Sequence, residues 1–96
     1  MKLLLLIYSG PTPQRIAALL EAYDAPGYTE FVNARGAGAT GKIEGTRAWP
    51  GTATVFISVV PADRVAELRA ALIDYKARAA EGEHLHVATM PTEDYL

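Results

Sequence analysis

Apolar residues along the chain form short runs that alternate with segments of helical spacing. Four runs rich in apolar, aromatic or β-branched side chains predict strands, because they are brief and are followed by glycine or proline; they cover residues 2–8, 27–35, 52–60 and 83–90. From Pro13 to Tyr23 the apolar positions follow an i, i+3, i+4, i+7 spacing, and residues 65–79 repeat at helical spacing before Gly82. Both segments predict amphipathic helices.

The order of these elements predicts the fold. A β-α-β-β-α-β sequence is typical of the α+β, ferredoxin-like βαββαβ sandwich, in which two helices cover one face of a four-stranded antiparallel sheet. Ninety-six residues are enough for one core and too few for two. We therefore predict a single domain over residues 1–96.

The strands are too apolar for a sheet that has helices on one side only. The first and third strands each place apolar sets on both sides: Leu3, Leu5 and Ile7 against Leu4, Leu6 and Tyr8, and Val55, Ile57 and Val59 against Phe56 and Val60. Exposing such a set to water would forfeit several kcal/mol. We therefore expect other copies of the chain to cover the helix-free face, with Leu4, Leu6 and Phe56 among the covered residues. The alternative is that the chain's own loop or tail covers them.

Residues 36–51 differ from the rest of the chain. They hold five glycines and one proline, with few side chains suited to a core. Loops of this length in a small domain are usually functional or disordered. We predict that this loop carries function.

The composition of the chain argues against some classes of binding partner. Half of the residues are apolar, and 9 Lys and Arg against 11 Asp and Glu give a net charge of −2. This charge, without basic runs, argues against nucleic acid and anionic membranes. The absence of cysteine excludes disulfides and thiolate metal sites. The apolar run at residues 3–8 is too short for a signal sequence or a membrane span, so we expect a cytoplasmic protein without membrane insertion.

Several short motifs resemble those of PII-like signalling proteins, in the superfamily of the nitrogen regulatory protein PII. The matching segments are residues 2–8, Gly27-Tyr28-Thr29, Arg35-Gly36-Ala37-Gly38, Gly45-Thr46-Arg47-Ala48-Trp49-Pro50-Gly51, Val59-Val60-Pro61 and Met90-Pro91. The resemblance covers nearly the whole chain, and residues 45–51 are similar to a branch associated with transporters, including heavy-metal efflux systems. It implies a homotrimer with inward-facing sheets, ligand sites in the clefts between subunits, and a mobile loop that contacts a membrane transporter or an enzyme.

Two departures from the family pattern argue against adenine nucleotide binding in the usual mode. Ala39 and Thr40 stand where nucleotide-binding members carry Arg-Gln. Before the last strand, Glu81-Gly82-Glu83-His84 replaces a phosphate loop rich in glycine and lysine, and two acidic residues there would repel a polyphosphate. The effector therefore stays unidentified.

The loop supplies the candidate ligand-binding and partner-binding residues: Gly36, Gly38, Gly41, Lys42, Arg47 and Trp49. Its glycines let a backbone approach an anion, and Lys42 and Arg47 add positive charge. Because no G-x-x-x-x-G-K-[ST] order is present, an adaptable partner-recognition loop is favoured over a preformed anion site. Trp49 either anchors the partner or folds back onto the domain.

His84 and His86 are the chain's two histidines, and at i and i+2 of a strand they point the same way. Such a pair can begin a divalent metal site. Zn²⁺ usually takes at least three protein ligands, so Glu81, Glu83, Asp94 or a neighbouring subunit would have to supply more. The ordinary alternative is a pair of structural histidines at a subunit junction.

No catalytic residues are predicted, and we do not expect an enzyme. Ser9 and Ser58 lack a recognisable base partner. The favoured hypothesis is a trimeric regulator in which a small-molecule effector in the intersubunit cleft changes the shape of the loop and thereby the affinity for a partner. A metal-binding accessory protein and a small ferredoxin-fold enzyme with a pocket on the helix-free face remain the alternatives.

Overall fold

A computed structural model describes residues 1–23, 27–38, 41–43 and 53–96. The chain order is strand β1 (Lys2–Ser9), helix α1 (Pro13–Ala22), strands β2 (Thr29–Ala34), β3 (Gly36–Gly38), β4 (Gly41–Ile43) and β5 (Ala53–Val60), helix α2 (Ala62–Ala77) and strand β6 (His84–Pro91). The four long predicted strands and both predicted helices are present, each with bounds within a few residues of the prediction.

The main sheet is antiparallel with the strand order β2-β5-β1-β6. Strand β1 lies between β5 and β6, so the first strand of the sequence is central and the last is an edge. With two helices on one face of this sheet, the predicted ferredoxin-like βαββαβ fold is confirmed.

The core lies between the sheet and the helices. Helix α1 contributes Ile16 and Leu20, and helix α2 contributes Val65, Leu68 and Leu72, so each helix buries the stripe set by its apolar spacing. Pro13 at the start of α1 fits a position where no backbone N–H is needed. Asp63 in the first turn of α2 and Lys76 in the last complement the helix dipole.

The assignment of strand faces corrects one prediction. Leu4, Leu6 and Phe56 have no exposed surface and pack with the helices, so the chain's own helices cover them. The prediction that these residues lie on the helix-free face was wrong. Alternation in the sequence separates two apolar sets but does not say which set faces the helices.

The helix-free face carries the other set. Cross-strand partners lie on the same side of a sheet, and the register pairs Leu3 with Val59 and Met90, Leu5 with Ile57, and Ile7 with Val55; Val55 also pairs with Phe31. We call the surface formed by these eight apolar residues the open face.

The predicted loop at residues 36–51 contains regular structure at its start. Strands β3 and β4 form a separate two-stranded antiparallel ribbon, with Gly36 opposite Ile43 and Gly38 opposite Gly41. The rest of the predicted loop lies outside the described residues.

Strand β2 ends with an irregularity before this ribbon. Phe31 pairs with Val55 and Ala34 pairs with Ala53, so Val32 and Asn33 together lie opposite one residue of β5. Asn33 has a φ of 59°, in the left-handed region that asparagine tolerates better than most residues. This bulge redirects the chain as it leaves the sheet for the ribbon.

In the described part of the chain, neither helix has the length and apolar content that would let it span a bilayer.

Candidate ligand and partner site

The open face is a continuous apolar surface of the sheet that the helices do not cover. Phe31 is 51% exposed and Met90 is 43% exposed, whereas Leu3, Leu5 and Ile7 are partly buried by their neighbours in the sheet. These side chains lie on three neighbouring rows of the sheet, so they form one continuous patch. A continuous apolar patch of this kind on a small soluble domain marks an interaction surface.

His84 and His86 lie at the edge of the same face. The register places His84 beside Ser9 and His86 beside Ile7, and both imidazoles are exposed. The predicted common direction of the pair is consistent with this register. Among the described residues, no group of three or more His, Cys, Asp or Glu side chains is placed to hold a metal ion. A metal site would therefore need a ligand from beyond this set, such as a second subunit.

The predicted glycine-rich site falls partly on the ribbon. Gly36 and Gly38 belong to β3, and Gly41 and Lys42 belong to β4, so the backbones of these four residues are brought together. Lys42 occupies the register position opposite Ala37. Arg47 and Trp49 lie outside the described residues. Their predicted roles stay predictions.

A polar cluster that was not predicted from the sequence lies in the turn between α2 and β6. The Tyr8 hydroxyl donates a hydrogen bond to Oε1 of Glu83 at 2.6 Å, and the Tyr75 hydroxyl donates to the same oxygen. The backbone N–H of Ala80 donates to Oε2 at 2.9 Å. One carboxylate therefore joins the end of β1, the last turns of α2 and the turn at residues 80–83.

This cluster sets the ionisation of its members. Hydrogen bonds from Tyr75 and then Tyr8 hold the pKa of the Glu83 carboxyl below its usual value of 4.5. Burial, and next the bond to Glu83, raises the pKa of the Tyr8 hydroxyl. Tyr8 also accepts a hydrogen bond from the Thr12 backbone N–H at 3.2 Å. Glu83 is thus an ionised structural anchor directed into its own domain.

Glu83 stands where a phosphate loop would be expected from the family resemblance. Its two oxygens are engaged by three donors of the domain, whereas the neighbouring Glu81 is exposed. Glu81 therefore remains the solvent-facing carboxylate of this turn. Among the described residues, the turn offers no lysine or arginine side chain between Ala79 and His84.

A groove of about 1030 Å³ lies between the two helices. Alanines form much of its lining, with Arg15 and Arg78 among the charged residues at its rim. Arg78 is paired with Asp74 at 3.2 Å. This groove lies on the helix side of the sheet, on the opposite side from the open face, and Glu83 is among its lining residues.

Comparisons with known proteins give structural neighbours only. No family model and no curated protein matches the chain. CPII, a nitrogen regulatory PII-like protein from Thiomonas intermedia K12, matches in a structure bound to ADP and bicarbonate, with a TM-score of 0.70 and 25% identity over 93% of this chain and 84% of that chain. A structure of CPII bound to ADP, AMP and bicarbonate gives a TM-score of 0.71 and 23% identity with the same coverage.

A second protein supports the same grouping. A protein from Thermus thermophilus, assigned to the PII-like signalling proteins, matches with a TM-score of 0.63 and 18% identity, over 93% of this chain and 84% of that chain. The structural neighbours of this chain are thus PII-like proteins, and for CPII the bound small molecules include ADP, AMP and bicarbonate. The predicted resemblance is confirmed, and the chain has the fold of the PII-like proteins.

Proposed function

We propose that this chain is the subunit of a homotrimeric PII-like signalling protein. The open faces of three subunits pack together, a small-molecule effector binds in the cleft between subunits, and the loop at residues 36–51 controls a partner. The partner class that we propose, from the motif resemblance at residues 45–51, is a membrane transporter.

The observation that carries this proposal is the apolar open face on a PII-like fold. Its residues lie on neighbouring positions of β1, β2, β5 and β6 and make one surface. Burial stabilises by about 25 cal/mol per Å² of apolar surface, so covering this patch would contribute several kcal/mol. That amount is a large fraction of the stability of a small domain. Other copies of this chain can cover the open face, so no different protein is needed to bury it.

The effector that we propose is a small anion, with bicarbonate as the first candidate. CPII structures contain bicarbonate together with ADP or with ADP and AMP. In this chain Ala39 and Thr40 replace the Arg-Gln pair, and the exposed Glu81 lies in the turn where a polyphosphate would need cations. A single small anion such as bicarbonate needs fewer hydrogen-bond donors and cationic side chains than a nucleoside diphosphate does.

The route from effector to partner is the ribbon. It follows β2 after the bulge at Asn33, and Gly36 is its first residue. Because β2 is an edge strand, a neighbouring subunit and a ligand in the cleft could both contact the start of the ribbon. Signalling requires the effector to bind one arrangement of the loop more tightly than another.

The experiment is an effector titration followed by hydrogen exchange. Bicarbonate, ADP and AMP are added singly and in pairs to the full chain, and the melting temperature is measured for each. We expect bicarbonate to raise the melting temperature and to slow exchange in residues 36–51. No change with any of the three, alone or paired, would remove the proposed effector class.

Metal binding by His84 and His86 is the second candidate, and the observation that favours it is their shared exposed position at the edge of the open face. Calorimetric titration of the wild type and His84→Ala with Zn²⁺, Cu²⁺ and Ni²⁺ tests it. Heat of binding that disappears in the variant would support a metal site. If the wild type gives no heat of binding, or if the heat is the same in His84→Ala, the two histidines have a structural role instead.

A further inference from the structure

A basic groove lies between α2 and the edge strand β6. Its volume is about 190 Å³, and its lining residues are Arg69, Leu72, Ile73, Lys76, Leu85 and Val87. Ligand pockets for small molecules usually measure roughly 300–1,000 Å³, so this groove suits one or two side chains of a peptide better than a free metabolite.

Three residues of α2 give the groove its chemistry. Arg69, Ile73 and Lys76 are spaced i, i+4 and i+7, so they lie on one stripe of the helix. Ile73 is 57% exposed between the two cations. Among the described residues, neither Arg69 nor Lys76 makes an ion pair or a side-chain hydrogen bond. The stripe thus presents two unpaired positive charges around an exposed apolar side chain.

The groove is also bordered by an unpaired strand. In the described sheet, β6 pairs with β1 only, so its outer edge has free backbone donors and acceptors. Such an edge can accept an extended peptide as an added strand. The ligand that fits is therefore an extended segment with acidic and apolar residues.

The last residues of the chain have this character. Glu93, Asp94, Tyr95 and Leu96 are all exposed, and Tyr95 retains 64% of its surface. In an extended segment Glu93 and Tyr95 would point to one side, about 6.6 Å apart. That spacing is close to the roughly 5–6 Å between helix positions three or four apart, so Tyr95 can contact Ile73 while Glu93 contacts Arg69 or Lys76.

Residues 93–96, the tail, leave the sheet on the side of the open face. They therefore do not reach the basic groove of their own chain. The Thr92 backbone N–H donates to the Met1 carbonyl at 3.3 Å, and Glu93 and Asp94 line a groove with Leu3 and Met90 of the open face. The basic groove lies on the opposite, helix side of the sheet. In the proposed trimer, a tail that borders the open face would be directed toward neighbouring subunits.

We propose that residues 93–96 of one subunit dock as an extended segment in the groove formed by Arg69, Ile73, Lys76 and the edge of β6 on a second copy of the chain. This inference rests on the proposed self-association and adds a charged contact to it. The docked tail would tie the rim of the assembly together while the open faces form its centre.

Disulfide trapping tests the contact, because the natural chain has no cysteine. Ile73→Cys and Tyr95→Cys chains carrying different tags are mixed and oxidised mildly, and the mixed two-chain product is measured on a denaturing gel. We expect a yield several-fold above that from Ala18→Cys mixed with Tyr95→Cys, since Ala18 is exposed on α1. A yield equal to this control overturns the inference.

Charge reversal makes the test specific. In the Ile73→Cys chain, adding Arg69→Glu and Lys76→Glu should cut the mixed product several-fold, and Glu93→Lys with Asp94→Lys in the Tyr95→Cys chain should restore it. A yield that does not respond to these charges contradicts the proposed contact. A chain carrying both cysteines that closes only on itself contradicts the second-copy assignment.

Light scattering on the same samples separates this inference from the proposed function. A trimer without the mixed disulfide refutes the tail contact alone. A monomer refutes both.

Discussion

Gly10 packs closely against the side chains of the Glu83 cluster. A Cβ there would approach the Tyr8 hydroxyl oxygen, would lie 2.8 Å from Tyr8 Cζ and would lie 3.0 Å from Glu83 Cγ. Gly10→Ala should therefore lower the unfolding free energy by about 1–3 kcal/mol through overpacking. Chemical denaturation measures the change.

Gly27→Ala is the matched control, because nothing lies within 4 Å of a Cβ at that position. It should change the unfolding free energy by much less than Gly10→Ala does. Equal effects of the two substitutions would show that the close approach at Gly10 does not limit stability.

Glu83 should be the most sensitive carboxylate in the described turn. Glu83→Gln keeps the shape but removes the charge that accepts bonds from Tyr8 and Tyr75. Hydrogen bonds to charged groups contribute about 1.5–3 kcal/mol each in favourable cases. Glu83 is partly exposed, so we expect Glu83→Gln to lower the unfolding free energy by about 1–3 kcal/mol at neutral pH. Glu81→Gln, at an exposed position, should be near neutral.

The effect of Glu83→Gln should depend on pH. Since the folded protein holds the pKa of Glu83 below 4.5, its carboxylate contributes fully above pH 4.5 and loses that contribution as pH falls through the lower folded value. The difference in unfolding free energy between wild type and variant should thus shrink below pH 4.5. A difference that grows toward acid would contradict the assigned role.

The sequence could not predict this cluster. Tyr8 and Glu83 are 75 positions apart, and no local spacing links them. The sequence around Glu83 indicates a repulsive charge near a phosphate site, whereas the structure shows that its carboxylate is hydrogen-bonded within its own domain. A single sequence shows which residue types are close along the chain, but not which are brought together by the fold.

Helix α2 shows what periodicity can predict at the scale of an element. The helical spacing from Val65 onward identified the stripe that faces the core, and Val65, Leu68 and Leu72 are buried there. Leu68→Ala should lower the unfolding free energy by about 2–5 kcal/mol, because it opens a cavity beneath the helix. The neighbouring exposed Glu67 provides the control, since Glu67→Ala should cost far less.

The strands show the limit of the same reasoning. Alternation identified β1 and β5 and showed that both of their sides are apolar. It did not show that Leu4, Leu6 and Phe56 belong under the helices, because that choice depends on how α1 and α2 cross the sheet. The ribbon formed by residues 36–38 and 41–43 was missed for another reason: glycine-rich pairing has no hydrophobic period to detect.

At the scale of the whole molecule, the open face predicts how the assembly responds to a single charge. Ile57 pairs with Leu5 and Thr29 near the middle of that face. Ile57→Glu would bury a carboxylate in an apolar interface, so it should dissociate the trimer. Size-exclusion chromatography measures the shift in mass.

Thr89→Glu places the same side chain on β6, at an exposed position that pairs with Leu4 and therefore lies on the helix side. It should leave the assembly intact. Dissociation by both variants would indicate a general loss of folding, and retention of the trimer by Ile57→Glu would show that the open face is not the interface.

The central claim is that three copies cover one another's open faces. Size-exclusion chromatography with multi-angle light scattering on the full chain at micromolar concentration tests it most directly. The account predicts a single species with three times the mass of one chain. A monodisperse monomer at that concentration would contradict it.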